Sequence, residues 1–294
     1  MTGLPGPTPA DVCALEAGPG PQAGGAGAQP FLRWAGSKRK LVARLSKYWS
    51  DRYARYVEPF AGSACLFFQL APARAILGDI NQDLIETFEQ VRENTSGVLS
   101  ALACLRKGKA HFLRVRGVEP ATLAPAERAA RFIYLNRYCF NGLHRTNRRG
   151  TFNVPYGGKR SGLLPSERTL LQCARLLKQA ELVPGDFDTV LTRVESGDFV
   201  YLDPPFSVRA RRVFREYGPS VFGQADVLRL KRWLTLLDER GAAFLVSYAD
   251  SAEARQLAGE YYVRAAAVQR NIAGFAKNRV RARELLISNR APTP

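Results

Sequence analysis

Gly197-Asp198-Phe199-Val200-Tyr201-Leu202-Asp203-Pro204-Pro205-Phe206 is the stretch from which the rest of the chain can be read. Residues 198–203 make an apolar, β-branched and aromatic run of strand length, and it stops at a carboxylate, two prolines and a ring. A strand of this kind carries Asp203 to the carboxyl end of a sheet, where open α/β folds bind their ligands. Pro204 and Pro205 lack N–H groups and have fixed φ, so the corner presents its carbonyls as rigid acceptors. Asp203 adds a charged acceptor and Phe206 a flat face. Together they suit a planar ring bearing an amino group, with two acceptors for the NH₂ and an aromatic for stacking. A strand–Asp–Pro turn is also an ordinary loop start in α/β proteins, so the neighbouring motifs decide.

Working outward, 294 residues with 46% hydrophobic content suffice for one large domain or one domain with an insert. No run reaches the apolar length of a membrane span. Lys and Arg number 43 against 26 Asp and Glu, leaving a formal charge of +17. Such an excess points to a polyanionic partner, most often nucleic acid. A uniformly Arg-rich proteome would give the same total, but here the bases cluster, as at Arg33/Lys38/Arg39/Lys40, Arg145/Arg148/Arg149, Arg209/Arg211/Arg212/Arg215 and Lys277/Arg279/Arg281/Arg283. The five cysteines are scattered without a Cys-x-x-Cys pair, which argues against a disulfide framework or zinc site and fits a reducing cytoplasm. With only His111 and His144, a histidine-rich metal centre is excluded, and each histidine reads as a surface or structural residue. No metal is expected.

Residues 1–30 are rich in Gly, Ala and Pro and lack the charged start and apolar core of a signal peptide; they read as a disordered leader. Beyond them the chain alternates. A basic loop at Phe31–Lys40 leads into a helix at about Arg39–Tyr48. A strand at Arg55–Glu58 ends at Pro59-Phe60-Ala61-Gly62-Ser63, and a helix follows at Ala64–Leu70. A second strand at Arg74–Leu77 ends in Gly78-Asp79, and Asn81 caps a helix bearing Leu84, Ile85, Phe88 and Val91. This is a βαβ start whose last acid, Asp79, is placed to hold ribose hydroxyls, though the loop lacks a full G-x-G-x-x-G.

The middle reads as helices at Ser96–Leu105, Ala126–Phe140 and Pro165–Gln179. Between the last two, Asn141–Leu164 mixes bases, amides and aromatics without sustained period, the composition that reading base edges and phosphates requires. The α/β pattern resumes with a helix near Ala225–Arg240, a strand at Ala243–Ser247, a helix at Ser251–Gly259, and strands near Tyr261–Ala266 and Arg283–Ser288. The expected fold is a doubly wound α/β sheet of Rossmann type, split by a helical insert.

Six blocks in this order carry a resemblance. They are Arg33-Trp34-Ala35-Gly36-Ser37-Lys38, Val57 to Ser63, Gly78-Asp79-Ile80-Asn81, Leu135 to Arg145, Gly150 to Gly157, and Asp203-Pro204-Pro205-Phe206. Over residues 30–289 the chain resembles the Dam-type (D12 class) DNA adenine methyltransferases, in the α-group order that places the recognition insert before the catalytic tetrapeptide. The resemblance implies S-adenosylmethionine as methyl donor and the N6 amine of a flipped adenine in double-stranded DNA as acceptor. It implies that Trp34, Ala35, Gly36 and Lys38 line the methionine end of the cofactor, that Phe60 and Gly62 floor its loop, and that Asp79 takes the ribose. Asp186-Phe187 would flank the cofactor's adenine, and Asp203, Pro204 and Phe206 would hold the target base. It implies that Asn141, Leu143, Arg145 and Pro155 read a GATC-like site, with Arg145 bridging guanine O6 and N7 or else meeting a phosphate. Arg148, Arg211 and Arg212 are candidates for phosphate contacts.

The implied division is a leader at 1–30, a catalytic part at 31–95 and 181–294, and a target-recognition insert at 96–180. The protein would act as a monomer or weak dimer in the cytoplasm of a bacterium or phage-infected cell, associated with the nucleoid through DNA, with or without a restriction partner. Three departures stand out. Ala64 replaces the second loop glycine, so the turn is expected to avoid positive φ there. Ser37 stands where glycine is frequent, and Phe206 replaces the commoner tyrosine. An N4-cytosine enzyme is the main alternative, although that group more often carries Ser in place of Asp203. A methyltransferase of RNA or protein, and a non-enzymatic DNA-binding protein, fit the insert or the two motifs less well.

Overall fold

The computed structural model describes residues 27–147, 150–205, 222–269 and 281–291. Strands β1 (Tyr56–Glu58), β2 (Ala75–Asp79), β3 (Ala180–Pro184), β4 (Phe199–Leu202), β5 (Ala243–Ala249), β6 (Tyr262–Gln269) and β7 (Arg281–Ser288) form one sheet. The seven strands lie in the order β3-β2-β1-β4-β5-β7-β6. β3, β2, β1, β4 and β5 run parallel, whereas β7 enters antiparallel between β5 and β6. This is a doubly wound sheet, and it departs from an all-parallel arrangement only at β7.

Every residue of β1 and β4 is buried, because central parallel strands are covered on both faces; all are apolar or aromatic except Glu58 at the end of β1. The strand order reverses between β1 and β4, the switch point at whose carboxyl ends open α/β sheets place their binding crevice. Glu58, Asp79 and Asp203 stand at the ends of β1, β2 and β4 around it. At the opposite end, Arg55 Nη2 donates to buried Asp198 at 2.7 Å and ties the starts of β1 and β4 together.

Helix α1 (Val42–Leu45) precedes β1, α2 (Cys65–Leu70) joins β1 to β2, and α3 (Gln82–Glu93) follows β2. α3 forms as its sequence demands: the Asn81 side-chain oxygen Oδ1 accepts from Leu84 N–H at 3.1 Å, and Leu84, Ile85, Phe88 and Val91 bury one stripe. Burying a side chain such as Phe88 stabilises the fold by about 1.5–3 kcal/mol. α4 (Thr95–Ala103), α5 (Lys109–Gly117), α6 (Pro125–Tyr138) and α7 (Glu167–Leu177) follow. Phe112, Ile133 and Leu170 from these helices share one core with Phe68, Leu77 and Tyr201 on one face of the sheet. On the other face α8 (Phe187–Leu191), α9 (Gln224–Glu239) and α10 (Ala252–Ala258) contribute Val190, Leu230, Leu234 and Leu257 to a second core with Val57, Val200 and Val246.

Four differences from the sequence reading have local causes. The helix expected at Arg39–Tyr48 is a single turn, α1, followed by a 3₁₀ turn at Ser46–Tyr48. β3 and α8 were not expected from sequence: β3 is an edge strand that fully buries just Ala180 and Val183, and α8 has only five residues. α5 also went unread, because its charged sequence buries just Phe112 and Val115. Finally, Ala64 adopts φ +48° and ψ +40°, contrary to the expectation that the turn avoids this region. Its N–H donates to Ala61 O at 2.6 Å and its methyl is fully buried, so tertiary contacts over-determine a conformation costing about 1–2 kcal/mol for an L-residue.

At the end of the expected leader, residues 27–30 lie against the fold, with Ala28 N–H donating to Phe68 O at 2.8 Å. Among the described residues no helix is long and apolar enough to cross a membrane.

Candidate active site

β4 delivers Asp203 to the crevice and buried Pro204 behind it. Lys38, only 4% exposed, projects from the loop before α1 and donates to Asp203 Oδ1 at 2.6 Å. Its Nζ also donates to Gly36 O at 3.2 Å and lies 3.8 Å from Glu284 on β7. Ser247 on β5 donates its hydroxyl to the same Asp203 oxygen at 3.1 Å. Since Ser247 has only one hydroxyl hydrogen, the 2.9 Å contact between Tyr201 and Ser247 must be donated by Tyr201. A relay therefore runs from Tyr201 through Ser247 to Asp203. Burial pushes the Asp203 carboxyl above its ordinary range, and the Lys38 ammonium pulls it back.

Glu58, buried beside Asp203, accepts from Tyr56 OH at 3.0 Å. Burial drives its carboxyl well above the usual range, against that hydrogen bond, and the nearby Asp203 and Asp79 raise it further. Asp79 accepts from Gly62 N–H and Asn81 N–H, each at 2.9 Å, which fixes the carboxylate over the loop after β1. Burial lifts Asp79 to about 6 despite these two donors.

The loop after β1 is pressed against Trp34. A Cβ at Gly62 would sit 2.8 Å from the indole, and the φ there is +49°, so only glycine lets the two surfaces meet. Trp34 stacks on His144 at 5.7 Å and on Phe132 at 6.4 Å. Burial pushes His144 down to about 4, so its ring is neutral.

Beyond β3, Gly185 N–H donates to Asp79 O at 3.0 Å, which brings Asp186 and Phe187 next to the Asp79 end of the crevice. Phe187 packs on Phe60 at 5.3 Å, with Phe222 6.2 Å from Phe60. Arg229 of α9 binds Asp186 and Asp188 and lies 4.5 Å over the Phe187 ring. Although burial opposes it, these two carboxylates hold the Arg229 guanidinium above its ordinary pKa.

The stretch Asn141–Tyr156 projects from the end of α6. It is held as an irregular hairpin by isolated pairings Cys139–Tyr156 and Thr146–Phe152. Asn141 sits at φ +56°, and Phe140 N–H donates to Pro155 O at 2.9 Å. A Cβ at Gly142, whose φ is +67°, would lie 2.5 Å from Arg33 Cβ. Arg145 Nε donates to Asn153 Oδ1 at 2.7 Å, while Leu143 and Arg145 stay partly exposed.

Thus Trp34, Lys38, Gly62, Asp79 and Asp203 surround the crevice, with Phe60, Asp186 and Phe187 at its β3 side. Phe206, Arg148, Arg211 and Arg212 lie outside the described residues. Sequence reasoning missed Glu58, Tyr201, Ser247, Glu284, Arg229 and the placement of His144. Tyr201 carried a local signal, since it shares a strand face with Asp203 two residues on. Ser247 and Glu284 are brought in by strand register and carried none.

The donor set suits a cofactor that is cationic at its reacting end and carries both ribose hydroxyls and a carboxylate. The acids at the strand ends and the Lys38 ammonium fit those groups, and the tight Gly62–Trp34 approach forms a cradle that a Cβ would fill. Among the described residues no group of side chains could hold a metal. Burial raises the thiols of Cys65 to about 11 and of Cys139 and Cys173 to about 12, so none of these three is a ready nucleophile.

Residues 34–272 match the family model of the D12 class N6 adenine-specific DNA methyltransferases. The chain is 31% identical to a DNA adenine methylase of Escherichia coli K12, over 87% of this chain and 93% of that protein. It is 29% identical to a DNA adenine methylase of Haemophilus influenzae, over 88% and 92%. A type II methyltransferase of Lactococcus lactis, M1.LlaDCHI, is 28% identical over 89% of this chain and 95% of its own.

Proposed function

Because the chain belongs to the D12 class of N6 adenine-specific DNA methyltransferases and is an S-adenosylmethionine-dependent enzyme acting on DNA adenine, we propose that it methylates adenine in a GATC-like site of duplex DNA through the Asp203 corner. The observation that carries this reading is the Asp203 carboxylate, set at the switch point of the sheet between a buried ammonium and a hydroxyl. On this reading Asp203 and the Pro204 carbonyl accept the two hydrogens of the adenine amine, which leaves the nitrogen lone pair free to attack. Phe206 supplies the stacking face. Lys38 keeps Asp203 ionised although buried, and the Tyr201–Ser247 relay holds its orientation. Rate comes from positioning and fixed charge, without a covalent intermediate.

S-Adenosylmethionine supplies the electrophilic methyl. Trp34, Ala35, Gly36 and Lys38 would hold its methionine end, Phe60 and Gly62 its loop side, Asp79 its ribose, and Asp186 and Phe187 its adenine. The proposed division assigns 31–95 and 181–294 to catalysis and 96–180 to target recognition, with 1–30 as leader. Because the helices of 96–180 share a core with the sheet, the division is one of roles within a common fold. Asn141, Leu143, Arg145 and Pro155 are assigned to the base edges, and Arg148, Arg211 and Arg212 to phosphates. We further infer a monomer or weak dimer working in the cytoplasm on nucleoid DNA, as its charge of +17 suits.

Tritiated methyl transfer to unmethylated duplex DNA, followed by nucleoside analysis, tests the chemistry. N6-methyl-2′-deoxyadenosine is expected; N4-methyl-2′-deoxycytidine, or no DNA product, overturns it. Protection of cellular DNA from methylation-sensitive cleavage at GATC tests the site.

A further inference from the structure

We propose that His144 is a positioning residue that couples the recognition hairpin to the cofactor cradle, so that cofactor binding and target-site binding reinforce each other. The inference rests on the roles assigned above to Trp34 and to the Asn141–Tyr156 hairpin.

His144 stands one residue before Arg145 and touches both regions. Its ring stacks on Trp34 with the planes only 15° apart, and it packs on Phe132 and on Phe152 across the hairpin. On another side its Nδ1 lies 3.2 Å from Asn81 Nδ2. Asn81 follows the cofactor acid by two residues, and its backbone N–H donates to Asp79.

The sense of the Asn81–His144 bond is fixed. The Asn81 carbonyl oxygen is committed to the N-cap of α3, accepting from Leu84 N–H. The amide nitrogen must therefore face His144 and donate to Nδ1, which places the imidazole proton on Nε2. Burial keeps the ring neutral, so Nδ1 retains the lone pair that this bond needs. A second tie holds the Trp34 side: Arg33 N–H donates to Asn136 of α6 at 2.8 Å, and the Asn136 amide donates back to Arg33 O at 2.5 Å. Displacing Trp34 or Asn81 therefore displaces His144, and with it the backbone that aims Arg145. The reverse also holds, because coupling between two binding sites is reciprocal.

The test titrates S-adenosylhomocysteine into the full chain with and without a short unmethylated duplex containing GATC. In the wild type the duplex should tighten binding by about 5- to 150-fold. His144→Ala should bring this ratio close to one, while affinity for each ligand alone changes far less. A merely structural defect would weaken both single affinities and leave the ratio standing. Asn81→Ser keeps an N-cap for α3 but removes the donor to Nδ1, and should lose part of the coupling even if His144→Ala fails to fold. Combined in one chain, the two changes should lose no more than His144→Ala alone. An unchanged ratio in either single variant, or a wild-type ratio of one, overturns the proposal. These binding measurements do not depend on turnover, so failure of the methylation assay would strike the proposed function and leave this result readable.

Discussion

The crevice at the carboxyl ends of β1, β2 and β4 and the hairpin at Asn141–Tyr156 are held by different kinds of force. In the crevice, side chains are fixed by parallel strand ladders, a largely buried ion pair between Lys38 and Asp203, and backbone donors to Asp79. In the hairpin, two isolated pairings and a few loop hydrogen bonds hold residues that remain partly exposed. Removing one partner inside the crevice strands a buried charge, whereas a hairpin contact is exchanged for water at little loss. On the proposed assignment, the chemistry is built where displacement is costly, and sequence reading where the chain can still adjust to a duplex.

The largest effect that would sharpen this contrast is expected at Asp203. Asp203→Asn keeps the shape of the side chain and removes its charge, so transfer should fall on the order of 10³-fold while cofactor affinity changes little. Single-turnover methyl transfer, with cofactor binding measured alongside, checks it; near-normal turnover would break the assignment. Next comes Arg145→Ala, which should cost about 1–3 kcal/mol of discrimination at one guanine and leave the chemical step alone. Competition between cognate and single-substituted duplexes reads this out, and a uniform loss on all sequences would reduce Arg145 to a backbone anchor.

A pH series probes the crevice again. Asp79 can accept at both oxygens only when ionised, and burial has lifted it to about 6. Cofactor affinity should be level above that pH and fall by up to about tenfold per unit below it. A flat response between about pH 5 and 7 would remove Asp79 from cofactor binding. The smallest effect belongs to Asn153→Ala, which frees Arg145 from its 2.7 Å acceptor. It should erode the same guanine preference by about 0.5–1.5 kcal/mol without altering cofactor affinity.

What the sequence revealed follows the same division between near and far. Asp203, Asp79 and the Asn81 cap were legible because each is announced by its own neighbours: a strand ending in prolines, a Gly-Asp, an Asn before an apolar stripe. Ser247 was not legible, because it reaches Asp203 only through the parallel pairing of β4 with β5. Neither was Glu284, which is brought to Lys38 by the antiparallel insertion of β7. Ala64 misled for the opposite reason. A local rule about φ held less strongly than the buried turn that encloses the residue. His144 looked like an isolated histidine until Trp34 and Asn81, more than sixty positions away, were brought beside it.

β7 is the last strand in sequence yet lies inside the sheet, with β5 on one side and β6 on the other. A ribosome delivers the amino-terminal part first, so for a time Lys38, Asp203 and Ser247 exist without Glu284, and β5 has a bare edge. The nascent enzyme therefore carries a sheet open to mispairing along β5. The set of side chains around Asp203 is complete only once β7 has been made and pairs with both β5 and β6.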